Sequence, residues 1–214
     1  GTRARRCVQA QRTWSSLAAL ESRTLLAGNV TAKLLGGDLY LTGDSASNEV
    51  YVAETSAGLI VRGVNGTKIN GAATDFVAYP ASAERTGSII ATLGKGDDRL
   101  QLDTLELDGQ LIVIGGKGND QLGLTNATVH GNVTFIGESG NDTFYTEGTT
   151  IDGYLNTTLG KGNDLVATKS THIKKTVTVV GVSGADRISL DSTTLDEAFH
   201  AFLGKGSDDT RLTN

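Results

Sequence analysis

LIVIGGKGNDQLGLTN, residues 111–126, decides the fold. Its Gly118 and Asp120 are one instance of a pair that recurs every 22 residues. Steps of 22 from Gly96 land on Gly118, Gly140, Gly162, Gly184 and Gly206 without an insertion. Two residues after each glycine stands an acid: Asp98, Asp120, Asp142, Asp164, Asp186 and Asp208. Internal periods of this size indicate a solenoid, in which each unit is one supersecondary element stacked on the next.

Apolar residues keep the same period. Seven residues before the reference glycine come Ile89, Leu111, Val133, Leu155, Val177 and Phe199. Four after it come Leu100, Leu122, Phe144, Val166 and Ile188, with Thr210 as the exception, and eleven after it Leu107, Val129, Ile151, Ile173 and Leu195. Three apolar anchors separated by polar or Gly-rich corners describe a coil with three short strands per turn. The segments between corners are too short for helices and rich in Val, Ile and Thr. One coil cannot bury its apolar side alone, whereas stacked coils pair their backbones at about 4.8 Å and cover one another. Because parallel crossovers are overwhelmingly right-handed, the expectation is an all-β, right-handed parallel β-helix.

The period holds over residues 87–214 and is lost before Gly87. VTAKLLGGDLYLTG reads as a hairpin around Gly36–Gly37, and LIVRGVNGTKING as a second around Asn65–Gly66. Residues 29–86 are therefore expected to form an N-terminal β cap with a degenerate coil near SASNEVYV, and residues 1–28 a separate leader. The chain starts at Gly1, and FLGKGSDDTRLTN stops partway through a unit. We expect a longer natural chain, or another segment covering the last coil. That uncovered coil also offers an edge for self-association.

Composition narrows the function classes. Gly supplies 28 residues and Pro one, which fits frequent tight turns. A formal charge of -5 gives nucleic-acid binding no support. The single Cys7 excludes an intrachain disulfide framework and paired-cysteine zinc sites. No apolar run is long enough for a transmembrane helix. Glu21 and Arg23 interrupt TWSSLAALESRTLLAG, so it is not a conventional secretory signal. Trp14, Leu17, Ala18, Leu20, Leu25 and Ala27 instead allow a short amphipathic helix starting near Thr13.

LESRTLLAG, from Leu20 to Gly28, resembles the LEPR-XLL motif near the N-termini of large surface or secreted proteins of planctomycete-type bacteria. Leu20, Glu21, Arg23, Leu25 and Leu26 match, whereas Ser22 stands where the motif has Pro. The resemblance implies export or surface display. The expected partners are then surface polysaccharide or other surface proteins.

The GKGND-type corners also resemble hemolysin-type (RTX) calcium-binding repeats, whose loops hold ions between successive turns. GGKGNDQLG fits that pattern in full; GESGNDTFY carries Glu138 and GVSGADRIS carries Val182 where the pattern differs. The resemblance makes Asp98, Asn119, Asp120, Asp142, Asp164, Asp186 and Asp208 candidate calcium ligands. Two features point the other way. Asp and Asn cap tight turns by accepting backbone N–H bonds, and Lys95, Lys117, Lys161 and Lys205 beside the glycines could neutralise the acids.

No catalytic residue is assigned. His130, His172 and His200 sit at unrelated positions of the repeat, and Lys174–Lys175 reads as a solvated basic pair. GKG at 94–96, 160–162 and 204–206 is followed by no helix, so it is not a phosphate loop. The expected function is a non-catalytic structural or adhesin-like segment of a secreted or cell-surface protein. A polysaccharide-degrading lyase or hydrolase is the alternative.

Overall fold

A computed structural model describes residues 28–80 and 87–213. The Leu20–Leu26 motif and the proposed helix near Thr13 lie outside the described residues. Within them the chain is all-β and forms a parallel β-helix of about 6 turns.

Each regular coil contributes a seven-residue, a five-residue and a two-residue strand, as in Leu111–Lys117, Gln121–Thr125 and Thr128–Val129. Like strands pair in parallel with the coil 22 residues away, giving Leu111↔Val133, Leu122↔Phe144 and Val129↔Ile151. Stacking of equivalent positions, the premise of the repeat reading, therefore holds. Among the described residues three sheets result, two of nine strands and one of five.

Side chains alternate in and out along these strands, and the inward rows fill the interior. Leu100, Leu122, Phe144, Val166 and Ile188 form one fully buried row, and Leu107, Val129, Ile151 and Ile173 a second buried row. Burying such a side chain contributes about 1.5–3 kcal/mol. Phe135 and Phe144 stack at 6.1 Å between ring centroids in the coil that has Gly137 at the intervening inward position.

The corner glycines cannot be replaced without cost. Gly140 has φ +130°, and a Cβ there would lie 1.8 Å from the Gly118 carbonyl oxygen one coil away. Neighbouring corners have the same geometry, so the glycine column is fixed by φ and by close backbone approach together. Glu138, the departure noted in the third corner, takes φ +75° where the neighbouring coils have Gly116 and Gly160. Val182 does not; the pairing shifts register there instead.

The cap combines the expected hairpin with a correction. Asn29–Leu35 and Asp38–Thr42 form the Gly36–Gly37 hairpin, and Asp38–Thr42 then runs parallel to Ile89–Lys95. Glu49–Thr55, which overlaps SASNEVYV, runs parallel to Arg99–Asp103. Its spacing to the next coil is 50 residues rather than 22, as in the pairing of Asn48 with Asp98. The second hairpin is not at Asn65–Gly66. Glu49–Thr55 turns back at Ser56–Ala57 onto Gly58–Gly63, which pairs with Phe76–Pro80. Asn65–Gly66 is a tight turn, closed by Thr67 N–H on the Val64 carbonyl, but it sends Lys68–Ile69 to the outer edge of Asn29–Leu35 in another sheet. The turn chemistry was legible, whereas the strand it serves pairs elsewhere.

At the opposite end, Phe199–Phe202 and Asp209–Thr213 each pair with one neighbour, and Phe202 and Leu212 are both 62% exposed.

Candidate functional site

The aspartate column runs inside the corner. Asp98, Asp120, Asp142, Asp164 and Asp186 are no more than 2% exposed, while Asp208 in the last coil is exposed. Each Oδ1 accepts the backbone N–H of its counterpart one coil earlier. Asp98 N–H donates to Asp120 Oδ1 (2.9 Å), Asp120 N–H to Asp142 (2.8 Å), Asp142 N–H to Asp164 (2.7 Å), Asp164 N–H to Asp186 (3.1 Å) and Asp186 N–H to Asp208 (3.0 Å). The column starts with an amide: Asn48 occupies the register position before Asp98 and donates its N–H to Asp98 Oδ1 at 2.6 Å.

Asn119 belongs to a second, exposed ladder of opposite sense. Here the later coil donates: Asn119 N–H to Asp97 Oδ1, Asn141 N–H to Asn119 Oδ1, Asn163 N–H to Asn141 Oδ1 and Ala185 N–H to Asn163 Oδ1, all at 2.7 Å. Two ladders thus clamp each corner from both directions, meeting backbone donors that a parallel sheet leaves open where its strands end.

The second carboxylate oxygen is the unusual one. Oδ2 of Asp98, Asp120, Asp142, Asp164 and Asp186 is buried without a hydrogen-bond partner. Where a glycine precedes, Oδ2 occupies the space a side chain would fill: it lies 2.5 Å from a Cβ built on Gly115 and 2.2 Å from one on Gly137. Burial raises these carboxyl pKa values, opposed by the backbone donors and reinforced by neighbouring acids. Asp120 and Asp164 are pushed up to about 6, Asp142 to about 7, and Asp98 and Asp186 also move up. The lysines do not offset this, because Lys95, Lys117, Lys161 and Lys205 are exposed while the carboxylates face inward.

This donor set is a poor match for calcium, which takes six to eight oxygens at about 2.3–2.6 Å. One oxygen of each carboxylate already accepts a backbone N–H, and the other is buried. A proton on Oδ2 needs much less room. The Leu159 carbonyl oxygen lies 2.6 Å from the same built Cβ on Gly137.

Comparing the histidines only with one another misses their partners. Twelve residues after each reference glycine, the coils carry Asp108, His130, Asp152, Lys174 and Asp196, an alternation of acid and base along the third-sheet corner. His130 Nδ1 is 2.8 Å from Asp152 Oδ2 and its Nε2 is 2.9 Å from Glu106 Oε1. These two acids raise the His130 pKa, Glu106 most. Lys174 Nζ lies 2.7 Å from Asp152 Oδ1, and His172 Nε2 2.9 Å from Asp196. Lys175 pairs with Glu197 at 3.0 Å. The Lys174–Lys175 pair is exposed, and each lysine is paired with an acid. Reading the repeat by row would have revealed it.

Glu106, Asp108 and His130 each bring one ligand atom within 4.8 Å of the others, a grouping able to hold a metal ion. No protein-family model, curated protein or solved structure matches the chain. Among the described residues, no helix is long and apolar enough to cross a membrane.

Proposed function

We propose that the chain is a non-catalytic structural segment, adhesin-like or spacer-like, of a secreted or cell-surface bacterial protein. The observation that carries this reading is the destination of its acids: the repeated carboxylates are spent on coil-to-coil hydrogen bonds inside the rod. Periodic residues with one shared structural duty suit a stiff spacer presenting or contacting surface polysaccharide or other surface proteins. Export rests on the Leu20–Gly28 motif.

The test has two arms. An antibody against the solenoid should label intact cells of the source bacterium. A panel of polysaccharides incubated with the purified chain should release no reducing or unsaturated ends. Release that disappears when a clustered residue such as His130 is replaced would establish the lyase or hydrolase reading instead.

A calcium-stiffened rod is the second reading; the partnerless Oδ2 atoms at Asp98, Asp120, Asp142, Asp164 and Asp186 are the oxygens it would have to use, with further ligands drawn from elsewhere. Asn119 and Asp208, both exposed, would complete the candidate ligand set only at the corner surface and the last coil. A cation binding the folded form alone raises stability by RT ln(1 + [L]/Kd). A melting temperature that rises with calcium and falls back with EDTA would support this reading.

A further inference from the structure

We propose that Glu106, Asp108 and His130 form a surface site for a zinc-class divalent cation, with Asp152 and Lys174 as positioning residues.

The argument starts from register. Asp108, His130 and Asp152 occupy the same position in three consecutive coils, so parallel pairing fixes their backbones at the strand spacing, about 4.8 Å. Glu106 stands two residues before Asp108, on the strand Glu106–Leu107, and reaches forward one coil to His130. The three potential ligand atoms gather within 4.8 Å without any long-range loop needing to fold over them.

His130 is also oriented. Its Nδ1 faces Asp152 Oδ2 at 2.8 Å, while Lys174 holds the other oxygen of Asp152 in an ion pair of 2.7 Å. A carboxylate on one ring nitrogen is the support that metal-binding histidines commonly have; it fixes the tautomer and turns the other nitrogen toward the ion. Here the other nitrogen, Nε2, faces Glu106 Oε1 at 2.9 Å. Two carboxylates flanking one imidazole require a positive charge between them, which either a proton on Nε2 or a divalent cation supplies.

Ligand chemistry selects the ion. One imidazole nitrogen and two carboxylates suit zinc and neighbouring first-row ions, with water in the remaining positions, better than calcium, which prefers oxygen alone. Zinc bonds of about 2.0–2.2 Å require the side chains to draw together modestly, and all three are exposed enough to do so. His172 provides the internal comparison. Its Nε2 meets Asp196 at 2.9 Å between the same two rows, with histidine and acid exchanged, but the row position one coil before Asp196 is Lys174 instead of an acid.

The test is calorimetric titration of the full chain with zinc chloride, alongside nitrogen-15 spectra of the histidine rings. We expect one site with a micromolar dissociation constant and a zinc-dependent shift of His130 Nε2. H130A and E106Q should each weaken binding at least tenfold, D108N severalfold, and H172A not at all. D152N should leave zinc bound more weakly and change the His130 tautomer in the ring spectra, which a purely structural loss would not do. Because these side chains are on the surface, unchanged melting curves will show that the variants fold. Zinc affinity that is the same in H130A and wild type, as when Cys7 or another group is the ligand, overturns the proposal. So does the absence of saturation below millimolar zinc.

Discussion

Asp142 Oδ1 accepts the backbone N–H of Asp120 at 2.8 Å, while Asp142 Oδ2, on the same buried carboxyl, has no partner. One half of the group holds two coils together, and the other half is the reason the group resists ionisation. The same division recurs along the column, so its acids titrate as an interacting set.

This gives a pH dependence opposite to that of ion-paired carboxylates. The folded pKa values are raised, to about 6 for Asp120 and Asp164 and about 7 for Asp142. In the unfolded chain an Asp titrates near 3.9. The stabilising contribution is fully present below the unfolded value and lost as pH rises through the folded ones. Between roughly pH 4 and 7 the native state binds more protons than the unfolded state, so stability falls as pH rises. Thermal melts at pH 5 and pH 8 should show the higher midpoint at pH 5.

Asp142→Asn should keep the backbone bond through the amide oxygen and remove the charge. We expect a gain on the order of 2 kcal/mol at pH 8 that shrinks toward zero near pH 4. Urea denaturation at the two pH values measures it. A variant less stable at pH 8 would mean that the carboxylate is satisfied in its charged form.

Gly140→Ala should cost roughly 3–5 kcal/mol, because positive φ and backbone collision act together. Gly71 is the control: φ is +78° but nothing lies within 4 Å of its built Cβ. Gly71→Ala should lose only about 1 kcal/mol. Equal losses in chemical denaturation would show that close coil stacking adds nothing.

Glu138→Gly should stabilise by about 1 kcal/mol, since Glu138 holds φ +75° where glycine serves in neighbouring coils. Melting curves of the variant are the check.

The coil and its contents were legible because stacking imposes one residue type per row, and Gly118, Asp120 and Leu122 expose three rows within five residues. The cap was less so. Once the chain leaves the solenoid between Glu49 and Arg99, the interval becomes 50 residues and no period remains to count. The side of the backbone on which Asp120 falls was also hidden. A corner residue identifies a turn, but its sequence spacing does not say that its side chain is buried, as Asp120 is. His130 needed a different reading, across coils to Asp108 and Asp152 rather than along the chain.

The most direct test is a carbon-13 titration of the Asp Cγ resonances, followed from pH 4 to pH 8 with and without millimolar calcium. The ladder account predicts Asp120, Asp142 and Asp164 titrating near pH 6–7 and indifferent to calcium. Titration near pH 4, or resonances that calcium drives to the ionised position, would contradict it.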